Sequence, residues 1–222
     1  MDRRSLILAL PALAAGCAGS RPANEQQDLV DRARFAAESL RFEQNLGPEL
    51  DRILPRVRGV IVIPSLFRAG LFVGGQGGSG VLLVRGGSGW VGPVFLNIGA
   101  GSFGLQAGVQ QAEVLLMVMN DGTVNRLVDT TVRLGGDVSI ALGTVGAGMS
   151  AGATQNLGRD LVAYARTSGF FAGVALEGMV ISPNHPWNEA YHQAGATPRS
   201  ILETGTLAPG AAQLARLLDP RV

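Results

Sequence analysis

The sequence contains no lysine; all 18 of its Lys-plus-Arg residues are arginine. A Walker phosphate loop requires a lysine, so that class of nucleotide site is excluded, and any phosphate has to be held by guanidinium groups or backbone amides. Cysteine occurs once, at Cys17, which rules out an intramolecular disulfide. With only two histidines, a tight histidine-built metal centre lacks ligands. Acidic residues are missing from the whole stretch between Asp51 and Glu113, although it holds Arg52, Arg56, Arg58, Arg68 and Arg85.

What is present begins with an ordered leader. Arg3 and Arg4 precede the apolar run Leu6-Ile7-Leu8-Ala9-Leu10-Pro11-Ala12-Leu13, which gives way to the small residues Ala14-Ala15-Gly16 before Cys17. Charge, then grease, then small residues is the order of a secretory signal peptide. The run is far shorter than the roughly 20 residues of a membrane-spanning helix, and Pro11 interrupts it. Ala14-Ala15-Gly16-Cys17 resembles a bacterial lipobox, with Ala14 where leucine is usual. That resemblance implies cleavage before Cys17 and acylation of its thiol, each buried methylene then contributing roughly 0.8 kcal/mol to anchoring. Residues 1–16 are read as signal peptide, 17–23 as lipidated cysteine and tether, and 24–222 as a single domain. Ala18 stands where an aspartate marks inner-membrane retention, so the expected location is the bacterial envelope, on the outer membrane facing the periplasm. An ordinary signal peptide with an incidental cysteine is the alternative.

Cleavage removes two of the 18 arginines and one of the 17 acids, leaving 16 of each sign. A formally neutral domain gives no global case for nucleic acid. Gly 32 is about twice the ordinary share, yet 46% of residues are hydrophobic, so glycine serves inside a fold rather than in a disordered chain.

From Asn24 the periodicity is helical, with Leu29, Ala33, Ala36 and Leu40 on one face and Asp28 four residues before Arg32 as a stabilising pair. Pro48 and Pro55 bracket a short helix over 49–54. From Arg58 short apolar runs cut by glycines predict antiparallel strands at 59–63, 71–73, 80–84, 94–98 and 114–119. Asn120-Asp121-Gly122 predicts a turn, and 124–127 a helical turn. Further strands are expected near 131–142, 161–167 and 170–181, the last two joined at Ser168-Gly169. Segments 186–191, 198–203 and 209–218 each open on proline and predict helices. The fold class is therefore α+β: a glycine-rich, mainly antiparallel, curved sheet, sandwich-like or barrel-like, with helices at both ends. Connections this short exclude a doubly wound parallel fold.

Three motifs suggest chemistry. Gly75-Gln76-Gly77-Gly78-Ser79-Gly80 and Gly99-Ala100-Gly101-Ser102-Phe103-Gly104 both fit a dinucleotide loop, but strand-like residues follow where a helix must begin. Gly148-Met149-Ser150-Ala151-Gly152 fits a nucleophile elbow, with Asp160 and then His185 or His192 downstream, which defines a rival reading as an envelope serine hydrolase using Ser150. Its neighbours read as loop, so a serine among glycines is the simpler account. His185, Glu189 and His192 fall near one helix face, but no further histidine completes a metal site, and neither a metal nor a cofactor is expected. The acid-free stretch carries Phe67, Phe72, Trp90, Phe95 and Phe103 among its arginines, a composition suited to an anionic lipid surface; a buried aromatic core with solubilising arginines is the alternative.

The longest pattern is shared with a family. Arg58-Gly59-Val60-Ile61-Val62-Ile63-Pro64, then Arg68-Ala69-Gly70 and Gly74-Gly75-Gln76, then Pro93-Val94-Phe95 through Gly101-Ser102-Phe103-Gly104-Leu105-Gln106-Ala107-Gly108 resemble the SYLF-domain family, as do Gly169 to Gly178 and Asn188-Glu189-Ala190-Tyr191. Arg68 stands where lysine is expected and Gly77 where an aromatic is common. The resemblance covers roughly residues 25 to 205 and implies non-enzymatic phospholipid binding, with phosphoinositides the ligands of eukaryotic members, which also touch actin. The expected partner is an anionic phospholipid membrane. Arg56, Arg58, Arg68 and Arg85 are the candidate headgroup contacts, Phe67 and Phe72 the candidate inserting side chains, and Cys17 the lipidation site. A structural protein binding another envelope protein is the remaining alternative.

Overall fold

The computed structural model describes residues 22–43, 46–70, 73–103, 108–144, 158–169 and 176–219. Two helices, α1 (Pro22–Arg41) and α2 (Gly47–Ile53), precede four long strands: β1 (Gly59–Gly70), β2 (Val73–Gly86), β3 (Gly89–Phe103) and β4 (Gly108–Val118). Then come α3 (Asp121–Asp129), β5 (Val132–Arg133), β6 (Ile140–Thr144), β7 (Leu161–Gly169) and β8 (Val180–Pro183). The helices α4 (His185–Tyr191), α5 (Pro198–Glu203) and α6 (Ala212–Leu217) follow. The strands form one eight-stranded sheet, in the order β5-β8-β3-β2-β1-β4-β7-β6, curled into a half-barrel. Every pairing is antiparallel except that of β6 with β7. The α+β class with a curved, mainly antiparallel sheet and helices in both terminal regions is the fold observed.

Around Val60–Ile63 of β1 and the neighbouring stretches of β2, β3, β4 and β7 the sheet is buried on both faces, which explains why these segments read as nearly continuous apolar runs. Along β1, Ile61 and Ile63 enter one core with Val124, Leu127 and Val128 of α3 and Ile201 of α5. Val60 and Val62 enter the opposite core, under Leu29, Ala33, Ala36, Ala37 and Leu40 of α1, with Leu50 of α2 and Leu214 of α6. The apolar stripe expected of α1 is thus the stripe that packs. Its expected Asp28–Arg32 pair does not form: both side chains stay exposed, and the ion pair along α1 joins Arg34 to Glu38 at 3.2 Å.

Several boundaries differ from expectation for identifiable reasons. The glycines do not cut the strands. β2 and β3 run 14 and 15 residues through them, and the two glycine motifs face each other in one hairpin, Gly75 opposite Gly101 and Gly77 opposite Gly99. The interruption in β1 comes instead at Pro64-Ser65, where proline offers no N–H and the register shifts against both neighbours. Gly78 accommodates this bulge, since a Cβ there would sit 2.4 Å from the Ser65 carbonyl oxygen. The turn expected at Asn120-Asp121-Gly122 is the start of α3, where the Asn120 side chain accepts the Thr123 amide as the N-cap. Ser168 and Gly169 are strand rather than turn residues, and 170–175 of the strand expected after them lie outside the described residues. Both residues lie within β7 opposite Gln111 and Gln110 of β4, and β8 pairs with β3 on the other flank of the sheet.

Candidate functional site

Antiparallel pairing brings the start of β1, the end of β2 and the start of β3 to one rim. The Arg58 amide donates to the Val118 carbonyl at 2.7 Å, and the Arg85 amide donates to the Arg58 carbonyl at 2.8 Å. Arg56, Arg58 and Arg85 therefore gather at this rim, all from the acid-free stretch. Acids distant in sequence come to meet two of them. Asp121 accepts from Arg58 at 2.7 Å, and Asp219 from Arg85 at 3.1 Å. The hydrogen bond and charge of Asp121 hold the Arg58 pKa above its ordinary value. Arg56 is exposed and has no ion-pair partner among the described residues. Behind the rim, Arg52 lies 3.7 Å from the nearly buried Glu49.

Arg85 and Trp90 are cross-strand partners in the β2–β3 hairpin, and the guanidinium lies over the indole ring at 4.0 Å. The Trp90 Nε1–H donates at 2.9 Å to the same Asp219 oxygen that Arg85 contacts. Nothing local in the sequence signals this meeting, because 134 positions separate Arg85 from Asp219.

The other candidates lie elsewhere. Arg68 is ten residues beyond Arg58 along β1, which at about 3.3 Å per residue places it roughly 30 Å away. Phe67 and Arg68, being adjacent in a strand, point to opposite faces. Phe67 is 48% exposed, and its cross-strand neighbours are Gly77 and Gln111, so it stands on a surface with little side chain around it. Cys17, Phe72 and Ser150 lie outside the described residues. Of the other aromatics, Trp90 and Phe95 belong to the core, and Phe95 packs edge-on against Trp187 and Tyr191.

The partners named for a Ser150 nucleophile do not converge. Asp160 accepts from Asn120 Nδ2 at 2.9 Å and from the Ser139 amide and hydroxyl at 2.8 Å each, bonds that tie the starts of β7 and β6 to the N-cap of α3. The Ser139 amide bond is the main reason its pKa lies below the usual carboxylate value. His192 Nε2 lies 2.7 Å from the Pro93 carbonyl oxygen, and His185 opens α4 in an exposed position. Among the described residues no group of three or more His, Cys, Asp or Glu side chains could hold a metal.

Asn188, quoted above only as part of a family motif, has a clear role. Its side chain is fully buried, accepts the Phe95 amide at 2.8 Å, and donates to the Phe95 and Asn184 carbonyls at 3.1 and 2.9 Å. It continues the β3 ladder beyond the last residue that β8 reaches, Leu96.

A single sheet curled between two cores, with arginines gathered at one rim, defines an α+β domain. The family described as "Ysc84: Las17-binding protein actin regulator" matches residues 99–220, and the chain belongs to this Ysc84, or SYLF-domain, family. It is 29% identical over 174 residues to Protein YSC84 of Saccharomyces cerevisiae, covering 76% of this chain and 37% of the yeast protein. It is 28% identical over 210 residues to LAS seventeen-binding protein 3 of the same yeast, covering 90% of this chain and 45% of the relative. Against SH3 domain-containing YSC84-like protein 1 of Homo sapiens it is 25% identical over 206 residues, covering 89% of this chain and 59% of the human protein. The chain thus spans less than two thirds of the length of each. These are names of binding and regulatory proteins.

Proposed function

We propose that this chain is a membrane-anchored, non-enzymatic domain that binds anionic phospholipid headgroups through the rim formed by Arg56, Arg58 and Arg85. The observation that carries the reading is the convergence of these three arginines from a stretch without any carboxylate. Guanidinium forks match phosphate geometry, and a phosphate carrying more charge than Asp121 or Asp219 competes for groups that are already partly exposed, Arg58 at 49% and Arg85 at 23%. In this reading acyl chains on Cys17 hold the protein to the periplasmic face of an outer membrane, and the residues before α1 are the tether. Family membership supports lipid or protein contact at the coarse level, and phosphoinositide-type headgroups are the finer expectation.

Co-sedimentation with phosphatidylcholine vesicles, with and without phosphatidic acid, tests the headgroup reading. The chain should pellet with the anionic vesicles and largely lose that binding when Arg56, Arg58 and Arg85 become glutamine. Equal binding to both vesicle types contradicts it. Cys17→Ser should release part of the cellular pool from membranes, and complete indifference contradicts the anchor.

Phe67 favours a second contact. An exposed ring between Gly77 and Gln111 suits an apolar surface, but roughly 30 Å of strand separates it from the arginine rim, so in this reading the two are separate contacts. Phe67→Ser with Arg68→Gln should leave headgroup selectivity intact; its loss would move the lipid site to that end.

A further inference from the structure

Asp219 lies just past α6, one residue after Leu218, the last residue of this segment in the core. Its Oδ1 accepts two convergent hydrogen bonds, from Trp90 Nε1 at 2.9 Å and from an Arg85 terminal nitrogen at 3.1 Å. Both donors are held in place by the fold. Trp90 is only 6% exposed, Arg85 faces it across the hairpin, and stacking on the indole limits the guanidinium's freedom. Two preorganised donors meeting at one oxygen form an anion seat. Its present occupant is a carboxylate whose side chain is 52% exposed, so the seat opens to solvent on the side where Asp219 sits.

We propose that Asp219 is an internal stand-in for a phosphate, which takes the Arg85–Trp90 seat when Asp219 withdraws, so that the Asp219 carboxylate restrains anion binding at the rim. The inference rests on the reading of the arginine rim as an anion-binding surface and goes beyond it, by assigning a ligand seat and the group that blocks it. Withdrawal requires no loss of core packing, since Leu218 can remain in place. A phosphate brings three acceptor oxygens where Asp219 uses one, and Arg58, just before β1, is a backbone hydrogen-bond partner of Arg85. The same chemistry is offered by a lipid headgroup and by a free phosphate monoester.

The test uses the full chain carrying Trp187→Phe, which leaves Trp90 as the only tryptophan. Its fluorescence is titrated with glycerol phosphate and, separately, with phosphatidylcholine vesicles with and without phosphatidic acid. Removing the competitor by Asp219→Ala should tighten binding roughly five- to thirty-fold, the equivalent of one salt bridge and one hydrogen bond. Adding Arg85→Gln should abolish the gain. A gain with both probes identifies a general phosphate seat, and a gain with anionic vesicles alone assigns it to a headgroup at a membrane. If the parent binds anionic vesicles and Asp219→Ala binds neither probe more tightly, the stand-in is refuted while the rim reading survives. A gain that persists with Arg85→Gln also refutes it. If neither protein binds either probe, both readings fall.

Discussion

Replacing Asn188 by alanine should destabilise the fold by about 2–4 kcal/mol, a large loss for a change that leaves the apolar core residues untouched. The side chain makes three hydrogen bonds in a site with no exposure. The losses are unequal. The Phe95 carbonyl keeps the Asn184 amide at 2.9 Å, and the Asn184 carbonyl keeps the Asn188 amide at 3.0 Å, so neither acceptor is orphaned. The Phe95 amide loses the bond supplied by Asn188 at 2.8 Å, and a buried donor left unpaired costs about 1–3 kcal/mol. The remainder is a small cavity and the net worth of the other two bonds, about 1 kcal/mol together. Aspartate should be worse than alanine despite its matching shape, because a carboxylate would face two carbonyl oxygens without water. Urea unfolding of the parent, Asn188→Ala and the exposed neighbour Glu189→Ala provides the measurement. Glu189→Ala should stay within about 0.5 kcal/mol of the parent. A comparable result for Asn188→Ala would refute the claim that this side chain completes the β3 ladder.

Glycines with different surroundings should respond in opposite ways. Gly78→Ala drives a Cβ into the Ser65 backbone and should lower the melting temperature sharply, whereas a Cβ at Gly101 meets nothing within 4 Å, so Gly101→Ala should be neutral or stabilising; equal melting shifts would contradict the bulge account. Tyr164 has a buried hydroxyl without a hydrogen-bond partner, and burial together with the nearby Glu49 charge pushes its pKa up, so Tyr164→Phe should stabilise by about 1 kcal/mol in urea unfolding, and a loss of that size would show a partner not seen here. The folded pKa of Asp160 is depressed, so its contribution to stability is present above the unfolded carboxylate value and is lost as pH falls through the folded one. Ser139→Ala removes a hydroxyl bond and should shrink the loss of stability between neutral and acid pH, and an unchanged acid limb of the unfolding profile would contradict this linkage.

The outline of the fold was legible wherever a pattern belongs to one element. The stripe of α1 and the prolines opening α4, α5 and the 209–211 turn each place a helix correctly, because periodicity and a first-turn proline are local constraints. Strand lengths were misjudged because glycine has two readings. It breaks an isolated strand, yet within a paired ladder it continues one, and the facing glycines of β2 and β3 meet only through long-range register. Asn120-Asp121-Gly122 carries turn chemistry and cap chemistry at once, and the apolar face of Val124, Leu127 and Val128 resolves it as a helix start. The charge map shows the same division. The sequence reveals that residues 52–112 lack acids, but it does not reveal that Asp121 and Asp219 return to Arg58 and Arg85, or that Arg68 lies at the opposite end of its strand from Arg58. Separating one candidate list into two ends required the pairing of strands.

The most direct test of the arginine rim is the affinity of the full chain for phosphatidic acid vesicles measured across a salt series. If Arg56, Arg58 and Arg85 contact phosphates, affinity should fall steadily as salt rises, and replacing all three by glutamine should both weaken binding and flatten that dependence. Binding that is insensitive to salt, or a triple variant with the parent's affinity and slope, would contradict it.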